Sequence, residues 1–247
     1  MPTQNYKIRG TKVTSPYPVQ LTPAETRLIF SLQKYFAPEH IYPDRYFPKT
    51  TTPSSSSYKT KSGPNPNSLH QLDAKNFRHL TTNDYLTQID CLAVNQQGIF
   101  VFESKDYSGW IYGDSDQKYW TAVLDFGRTK NQFYNPIMQN STHLASLYSL
   151  FPHCQIYSFI VFGRNTTLKT AITPPKDCYI CNPDTLRSRL TALPQDLLTS
   201  SEITKIHQII QASRIAPSQI TRNNHIAEVQ HTKRLPDFSG SQFSRNY

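Results

Sequence analysis

The sequence predicts an α/β fold in which helices flank a central mixed β-sheet. Three observations lead to this prediction: a capped helix precedes a group of strands, a second helix follows them, and a wholly apolar strand comes next. Strands that alternate with helices usually form one sheet covered by helices. The 247 residues are enough for one sizeable domain with additional terminal segments.

Composition divides the chain into a domain and two basic ends. We expect a basic arm over residues 1–20, a domain over residues 21–213 and a flexible basic tail over residues 214–247. A low-complexity segment without acidic residues, at 49–68, is typical of a flexible insertion in the domain. This insertion is either a solvated loop without function or a basic flap over a substrate.

The charge balance favours a polyanionic partner, which is a nucleic acid or an anionic membrane. Lys and Arg outnumber Asp and Glu by 26 to 17, for a formal charge of +9. The tail has no amphipathic apolar face, and the chain has no apolar run near the ~18 residues of a membrane span. Residues 1–12 lack the apolar core of a signal peptide. We therefore expect a cytoplasmic protein that binds nucleic acid and not a membrane.

The first helix begins at a sequence typical of a capping box. Thr22 is followed by Pro23 and then by Glu25, three residues after the threonine. Apolar residues at helical spacing extend the predicted helix to residues 35–36, and Pro38 ends it.

The strands and helices that follow are predicted from their apolar patterns. A strand at 41–48 is disfavoured by its two prolines. The other expected strands are 87–94 and 99–105, joined by the turn Asn95–Gly98, then Gly109–Gly113, Tyr119–Val123, Ile156–Phe162 and Cys178–Cys181. The other expected helices run from near Asn135–Pro136 to Leu150, over 183–193 and over 201–212.

The cysteine spacing admits two interpretations. Cys178 and Cys181 have the spacing of zinc or redox motifs, but the sequence contains no second pair of this kind. We therefore expect ordinary strand thiols in a reducing compartment.

The hairpin over 87–105 places charged side chains together. Counting outward from its turn, Val94 pairs with Ile99, and Asp90 lies opposite Glu103. Lys105 is two residues further on and points to the same face. Opposed carboxylates, with Cβ atoms about 5 Å apart, repel each other and are costly to bury. A divalent cation such as Mg²⁺ removes that cost, so the hairpin predicts a metal site.

These residues, with the motifs around them, resemble the nuclease-related domain (NERD) family of the PD-(D/E)xK nuclease superfamily. The two acids and the lysine match its D-x12-E-x-K pattern. Its other motifs follow in order, as Q-I-D and G-I-F-V-F-E-x-K within 88–105, G-x-I-x-G ending in a Trp at 109–120, and N-P-x-x-Q-N at 135–140. The resemblance extends over about residues 20–165 and implies a restriction-endonuclease-like core.

The resemblance implies a metal-dependent nuclease, and we expect DNA rather than RNA as its substrate. Asp90, Glu103 and the backbone carbonyl of Ser104 would hold Mg²⁺ or Mn²⁺, which lowers the pKa of bound water. Lys105 would orient or activate that water and stabilise charge on the phosphate. The alternative is a non-catalytic nucleic-acid-binding or recruitment module of the same fold.

Three further residues have competing interpretations. Glu25 either only caps its helix or also contacts the metal through water, as a first-helix Glu does in related nucleases. Gln139 matches the helix glutamine of the family and is expected in the catalytic set. His143 lies on the same helix face as Gln139 and replaces a tyrosine of related exonucleases. A lone histidine more often packs than reacts, so His143 is expected to pack.

Two groups of residues are candidates for contacts with nucleic acid. The basic candidates in the insertion and the tail are Lys49, Lys59, Lys61, Arg222, Lys233 and Arg234. The aromatic candidates, which either stack on bases or pack in the core, are Trp110, Tyr112, Tyr119 and Trp120. Packing is the commoner role of aromatic strand residues, so we expect it here.

Overall fold

The structure, a computed structural model, describes residues 5–8, 11–14, 21–48 and 86–213, and these belong to one compact unit. The strands are β1 (Asn5–Ile8), β2 (Thr11–Thr14), β3 (Ile41–Pro48), β4 (Leu86–Asn95), β5 (Gly98–Lys105), β6 (Gly109–Tyr112), β7 (Tyr119–Leu124), β8 (Thr129–Tyr134), β9 (Ile156–Phe162), β10 (Thr166–Leu168) and β11 (Cys178–Cys181). The helices are α1 (Pro23–Leu32), α2 (Pro136–Leu150), α3 (Leu186–Thr191) and α4 (Ser200–Ala212), with short 3₁₀ turns at Pro38–His40 and Asp125–Gly127.

The central sheet is mixed, as the sequence predicts. Its five strands lie in the order β11-β9-β5-β4-β3. Strand β9 runs parallel to both β5 and β11, whereas β4 runs antiparallel to both β5 and β3. Every residue of β9 is buried, which confirms the prediction of a strand covered on both faces.

Helices cover both faces of this sheet and complete the predicted α/β fold. Alternating residues of β5 divide between two apolar clusters, because successive side chains of a strand point to opposite faces. Phe100 and Phe102 pack with residues of α1 and α3, such as Leu32 and Leu190. On the other face, residues of β4 and β5 pack with residues of α2 and α4, which include Leu92, Val101, Leu147, Leu150, Ile206 and Ile209.

The first helix has the predicted capping box but is shorter than predicted. The hydroxyl of Thr22 accepts from the Glu25 backbone N–H at 3.2 Å, and the Glu25 carboxylate accepts from the Thr22 N–H at 2.7 Å. The helix ends at Leu32 and not at residues 35–36. Phe36 is still buried, beyond the helix end. Because Pro38 disfavours a helical conformation at the residue before it, Ala37 is extended.

Strand β3 forms despite its two prolines because it lies at the edge of the sheet, where a missing N–H donor is tolerated. Its pairing with β4 is interrupted at Asp44, which has a φ of 51°. The Asp44 carboxylate accepts from the side-chain amide of Gln88 at 2.8 Å. The chain thus keeps one register on both sides of the irregular residue.

A second sheet packs beside the first. Its strands lie in the order β10-β6-β7-β8. Strands β6 and β7 correspond to the predicted pair, but β8 and β10 were not predicted. The sequence of β8, TKNQFY, has little apolar alternation, and β10 has three residues. One face of this sheet joins β9 and the start of α2 in a third apolar cluster, through residues that include Ile111, Trp120, Ala122, Ile137 and Phe162.

The N-terminal segment, predicted to be an extended arm, contains a short hairpin. Strands β1 and β2 form an antiparallel hairpin within the predicted arm. The remainder of the arm, the insertion at 49–68 and the tail at 214–247 lie outside the described residues. No described helix is long and apolar enough to cross a membrane. All four cysteines are described and buried, and none forms a disulfide.

Candidate active site

The site lies where the β4–β5 hairpin ends, opposite its turn. Val94 pairs with Ile99, as predicted, and the ladder continues to Cys91 and Phe102. The turn is closed by Gly98, which has a φ of 143°. A Cβ atom at Gly98 would lie 2.4 Å from the backbone oxygen of Gln155, so a side chain does not fit there. The turn therefore fixes the register that brings the two predicted acids to the same end.

Asp90 lies one step beyond the last pair of the ladder. Its Oδ2 atom accepts from the backbone N–H of Ser104 at 3.1 Å. The aspartate carboxylate is therefore held against the backbone of β5 next to Glu103, where the predicted register places it.

Glu103 is the buried centre of the site, with 2% of its surface exposed. Its Oε1 atom accepts from the Lys105 ammonium at 2.6 Å and from the Gln139 side-chain amide at 2.7 Å. The Oε1 atom of Gln139 also accepts from Lys105, at 3.0 Å. Three of the predicted residues therefore form a closed triangle between β5 and the first turns of α2.

His143 is buried, as expected of a packing residue, and it also lies next to the site. It is buried one turn after Gln139, and its Nε2 atom lies 3.7 Å from Oε2 of Glu103. Its Nδ1 atom lies 2.6 Å from the hydroxyl of Thr87. Neither Nε2 of His143 nor Oε2 of Glu103 has a hydrogen-bond partner among the described residues.

Thr87 is the site residue that the sequence did not indicate. It lies at the start of β4, 56 positions from His143, and belongs to none of the motifs considered above. His143 had a signal in its spacing from Gln139, since residues four apart share a helix face. Only the packing of α2 on β4 brings Thr87 to the histidine.

Burial and neighbouring charges move the pKa values of these groups in different directions. Burial raises the pKa of Asp90 well above its usual range, and the Glu103 charge adds to this effect. Burial opposes ionisation of Glu103 too, but Lys105 and His143 outweigh it and lower the pKa of Glu103. Burial also opposes the charge on Lys105, but Glu103 outweighs it and raises the Lys105 pKa. The site therefore contains a protonated lysine beside an ionised glutamate.

Glu25 adopts the first of the two roles considered for it, that of a helix cap. Its Oε2 atom accepts from the Thr22 backbone N–H in the helix cap. Its charge makes a smaller contribution to the raised pKa of Asp90, after burial and Glu103. The carboxylate of Glu25 is thus close enough to influence the site, and its contact with a metal through water stays a prediction.

The donor atoms of the site suit a hard divalent cation. Oε2 of Glu103 is a buried carboxylate oxygen without a hydrogen-bond donor in the described part of the chain, and Asp90 supplies a second carboxylate. Oxygen ligands of this kind are those that Mg²⁺ prefers. The described residues contain no group of three or more His, Cys, Asp or Glu side chains that could hold a metal. The remaining ligands would thus be backbone or water oxygens, such as the predicted Ser104 carbonyl, or substrate oxygens.

The predicted contacts with nucleic acid divide into two groups. The six basic candidates lie outside the described residues. Among the aromatic candidates, Trp120 is fully buried and donates from Nε1 to the Asp114 carbonyl at 2.8 Å. Trp110 and Tyr112 are exposed, which contradicts the expectation that all four aromatic residues pack in the core.

Comparison with known proteins agrees with the motifs. Residues 59–163 match the family model described as the nuclease-related domain, which confirms the resemblance read from the sequence. The chain is also similar to an uncharacterized protein of Bacillus anthracis, with 28% identity over 163 residues that cover 63% of this chain and 76% of the relative. No solved structure matches the chain.

Proposed function

We propose that this nuclease-related domain is a metal-dependent nuclease that hydrolyses phosphodiester bonds in nucleic acid, with DNA rather than RNA as substrate. One observation carries the proposal: Glu103 is buried, and its Oε2 atom has no hydrogen bond within normal distance among the described residues, with Nε2 of His143 3.7 Å away. A buried carboxylate oxygen without a partner is costly. Because Asp90 lies beside it, the proposal assigns both carboxylates to one cation.

Mg²⁺ or Mn²⁺ is the cofactor proposed for these oxygens. Asp90 and Glu103 would hold the ion, with the Ser104 carbonyl as a further ligand. When bound, such an ion lowers the pKa of a bound water and polarises a phosphoryl oxygen.

Lys105 has the charge and the position to stabilise the reacting phosphate. Burial opposes the charge on Lys105, but the Glu103 carboxylate outweighs it and raises the Lys105 pKa, which favours the cationic form. Its ammonium is fixed by Glu103 and Gln139 at 2.6 and 3.0 Å, so its orientation is set before substrate binds. A fixed cation of this kind stabilises negative charge as it develops in the transition state.

Gln139 and His143 are assigned positioning roles. Gln139 bridges Lys105 and Glu103 and so holds the cation and the carboxylate in one arrangement. His143 lies beside the other oxygen of Glu103, with its ring oriented by the hydroxyl of Thr87. These contacts connect helix α2 to the two acids.

A non-catalytic nucleic-acid-binding module is the second candidate. The observation that favours it is that Lys105 already balances the charge of Glu103, while the described residues include no cluster of three metal-binding side chains. In a module of this kind the triangle of Glu103, Lys105 and Gln139 would only stabilise the fold.

Cleavage assays distinguish the two candidates. Labelled linear duplex, circular duplex, single-stranded DNA and RNA should be incubated with the protein in Mg²⁺, Mn²⁺ or EDTA. The nuclease proposal expects cleavage of DNA that needs the metal and is lost in Glu103→Gln. Asp106→Asn is the matched control, because this exposed carboxylate pairs with Arg27 at 3.0 Å and is not part of the proposed site. Cleavage that survives EDTA, or a Glu103→Gln protein that still cleaves, contradicts the proposal.

We further propose that the protein acts in the cytoplasm. Its four cysteines are all buried and free, as expected of thiols in a reducing compartment.

A further inference from the structure

The second sheet has one face that does not pack on the core. The pairing register assigns side chains to this outer face, because directly paired residues of antiparallel strands share a face. We define the outer face by Trp110 and Tyr112 of β6, Tyr119, Thr121 and the buried Val123 of β7, and Lys130, Gln132 and Tyr134 of β8. The alternate residues of these strands, such as Trp120 and Ala122, point to the third apolar cluster.

Large aromatic rings are left partly in water on the outer face. Trp110, Tyr112 and Tyr134 have 38%, 39% and 37% of their surface exposed, whereas Trp120 on the opposite face has none. The rings of Tyr119 and Tyr134 pack edge to face, with centroids 6.1 Å apart and ring planes at 76°. Exposed aromatic rings on the same face of one sheet, here on β6 and β8 with β7 between them, present flat apolar surfaces at fixed positions, and such surfaces stack on planar ligands.

Positive charges lie next to these rings. The ammonium of Lys169 lies 4.7 Å from the centre of the Trp110 ring, and that of Lys118 lies 5.5 Å from the centre of the Tyr119 ring. Lys130 is exposed on the face itself. None of the residues that define the outer face is acidic; the nearby Asp114 and Asp116 lie in the loop between β6 and β7. Flat rings beside ammonium groups match a nucleotide, whose base stacks while its phosphate pairs with a cation.

Short connections join the outer face to the candidate active site. Lys105 ends β5, and only three residues separate it from the start of β6. Strand β8 ends at Tyr134, and α2 begins at Pro136 and carries Gln139 near its start. The strands that carry the outer face are therefore joined to the site residues Lys105 and Gln139 by short chain segments.

We propose that the outer face binds unpaired nucleotides of single-stranded DNA, with bases stacked on Trp110 and Tyr112 and phosphates near Lys169 and Lys130. The inference rests on the proposed function in taking DNA as the partner. Duplex DNA does not fit this arrangement, because its bases are stacked on each other and their faces are hidden. The face thus assigns a preference for substrates with a single-stranded segment.

Tryptophan fluorescence provides a direct test, because the chain has two tryptophans and only Trp110 is exposed. The full chain in EDTA is titrated with a dT oligonucleotide, and binding is followed by anisotropy and by tryptophan emission. Binding should quench the emission. In Trp110→Phe, which keeps a ring for stacking, binding should persist and the quenching should disappear.

Truncation of the rings should weaken binding selectively. Trp110→Ala and Tyr112→Ala should each weaken binding of the dT oligonucleotide by about tenfold, with little change in binding of a duplex. The matched control is Tyr148→Ala, since this tyrosine of α2 is 42% exposed and lies outside the outer face. The melting temperature of each variant checks that the fold is intact.

Several results would overturn the inference. The first is that Trp110→Ala and Tyr112→Ala bind the dT oligonucleotide as tightly as the wild-type protein. The second is that these variants lose as much affinity for duplex DNA as for dT. The third is that an rU oligonucleotide binds more tightly than dT and depends on the same rings. Absence of any oligonucleotide binding would also overturn it and assign the face to another partner. Since the titration needs no cleavage, ring-dependent binding by an inactive protein contradicts only the proposed function. Conversely, cleavage with unchanged binding in both alanine variants contradicts only this inference.

Discussion

The ammonium of Lys105 donates to the Oε1 atom of Glu103 at 2.6 Å, from a position two residues further along the same strand. Side chains two apart on a strand share a face, so β5 alone brings the cation to the carboxylate. Gln139 of α2 bonds to both groups and fixes their separation. The other oxygen of Glu103 is left without a hydrogen-bond donor among the described residues, and this asymmetry underlies the predictions about catalysis.

Lys105→Ala should lower the rate of metal-dependent cleavage by about 10²-fold or more, because a fixed cation beside the phosphate is lost. Asp90→Asn and Glu103→Gln should have at least as large an effect, since each replaces a proposed metal ligand. Rates under single-turnover conditions and circular dichroism spectra measure activity and folding separately. A folded Lys105→Ala protein with the wild-type rate would exclude the proposed role.

Mg²⁺ or Mn²⁺ should raise the melting temperature of the wild-type protein by mass action, because only the folded state holds both carboxylates together. Asp90→Asn should abolish this shift, whereas Asp106→Asn should keep it. Differential scanning fluorimetry over a metal titration gives the result. If wild type and Asp90→Asn shift equally, the ion binds elsewhere.

In the metal-free protein, the free energy of unfolding should depend on pH through the ionisation of Asp90. Burial and Glu103 raise the folded-state pKa of Asp90. The contribution of this carboxyl to stability is therefore full below its unfolded-state pKa and is lost as pH rises through the folded-state value. Asp90→Asn should be more stable than wild type at neutral pH, with the difference disappearing in acid. Urea unfolding in EDTA across pH tests this, and a difference that grows in acid would contradict it.

Thr87→Val should destabilise the protein by about 1–3 kcal/mol, because it leaves the buried Nδ1 atom of His143 without a hydrogen-bond partner. It should also weaken the metal-dependent rise in melting temperature, since the imidazole beside Glu103 loses its orientation. Thr87→Ser keeps the hydroxyl and should restore the metal response. A Thr87→Val protein that loses stability but keeps the full metal response would limit the contact to a structural role.

Gly98→Ala should destabilise the hairpin, because its Cβ atom would meet the backbone oxygen of Gln155 at 2.4 Å. Gly127→Ala is the matched control: Gly127 has a φ of 98°, but a Cβ atom there has no described neighbour within 4 Å. We expect Gly98→Ala to lose about 2 kcal/mol more in unfolding free energy, from overpacking against a backbone that cannot move away. Equal losses in the two variants would mean that only backbone strain matters.

Removal of residues 214–247 should leave the melting temperature nearly unchanged but weaken binding of nucleic acid. The removed segment contains Arg222, Lys233 and Arg234, and fewer counterions would be released on binding. The slope of log affinity against log salt concentration should therefore become shallower. Binding isotherms of the 1–213 chain across a salt series measure this slope. An unchanged slope would assign the tail to another role, and loss of folding would move the domain boundary.

The sequence by itself determined the features that depend on neighbours in the chain. The capping box of Thr22 and Glu25, the pairing of Val94 with Ile99 and the helix start after Asn135 all follow from local backbone geometry and side-chain chemistry. The same register places Lys105 on the face of Glu103. Strands β8 and β10 were not predicted from the sequence, because neither has an apolar pattern of its own. They form by pairing with β7 and β6 in the second sheet.

Only the tertiary structure decided which side chains meet across the chain. Thr87 reaches His143 because helix α2 packs on β4, a contact that no local pattern specifies. Trp110 and Trp120 are each the second residue of a β-strand, yet one is exposed and the other fully buried. The reason is that Trp120 lies on the face of the second sheet that packs on β9 and α2, whereas Trp110 lies on the other face. Which face of a sheet is buried depends on contacts with residues distant in sequence.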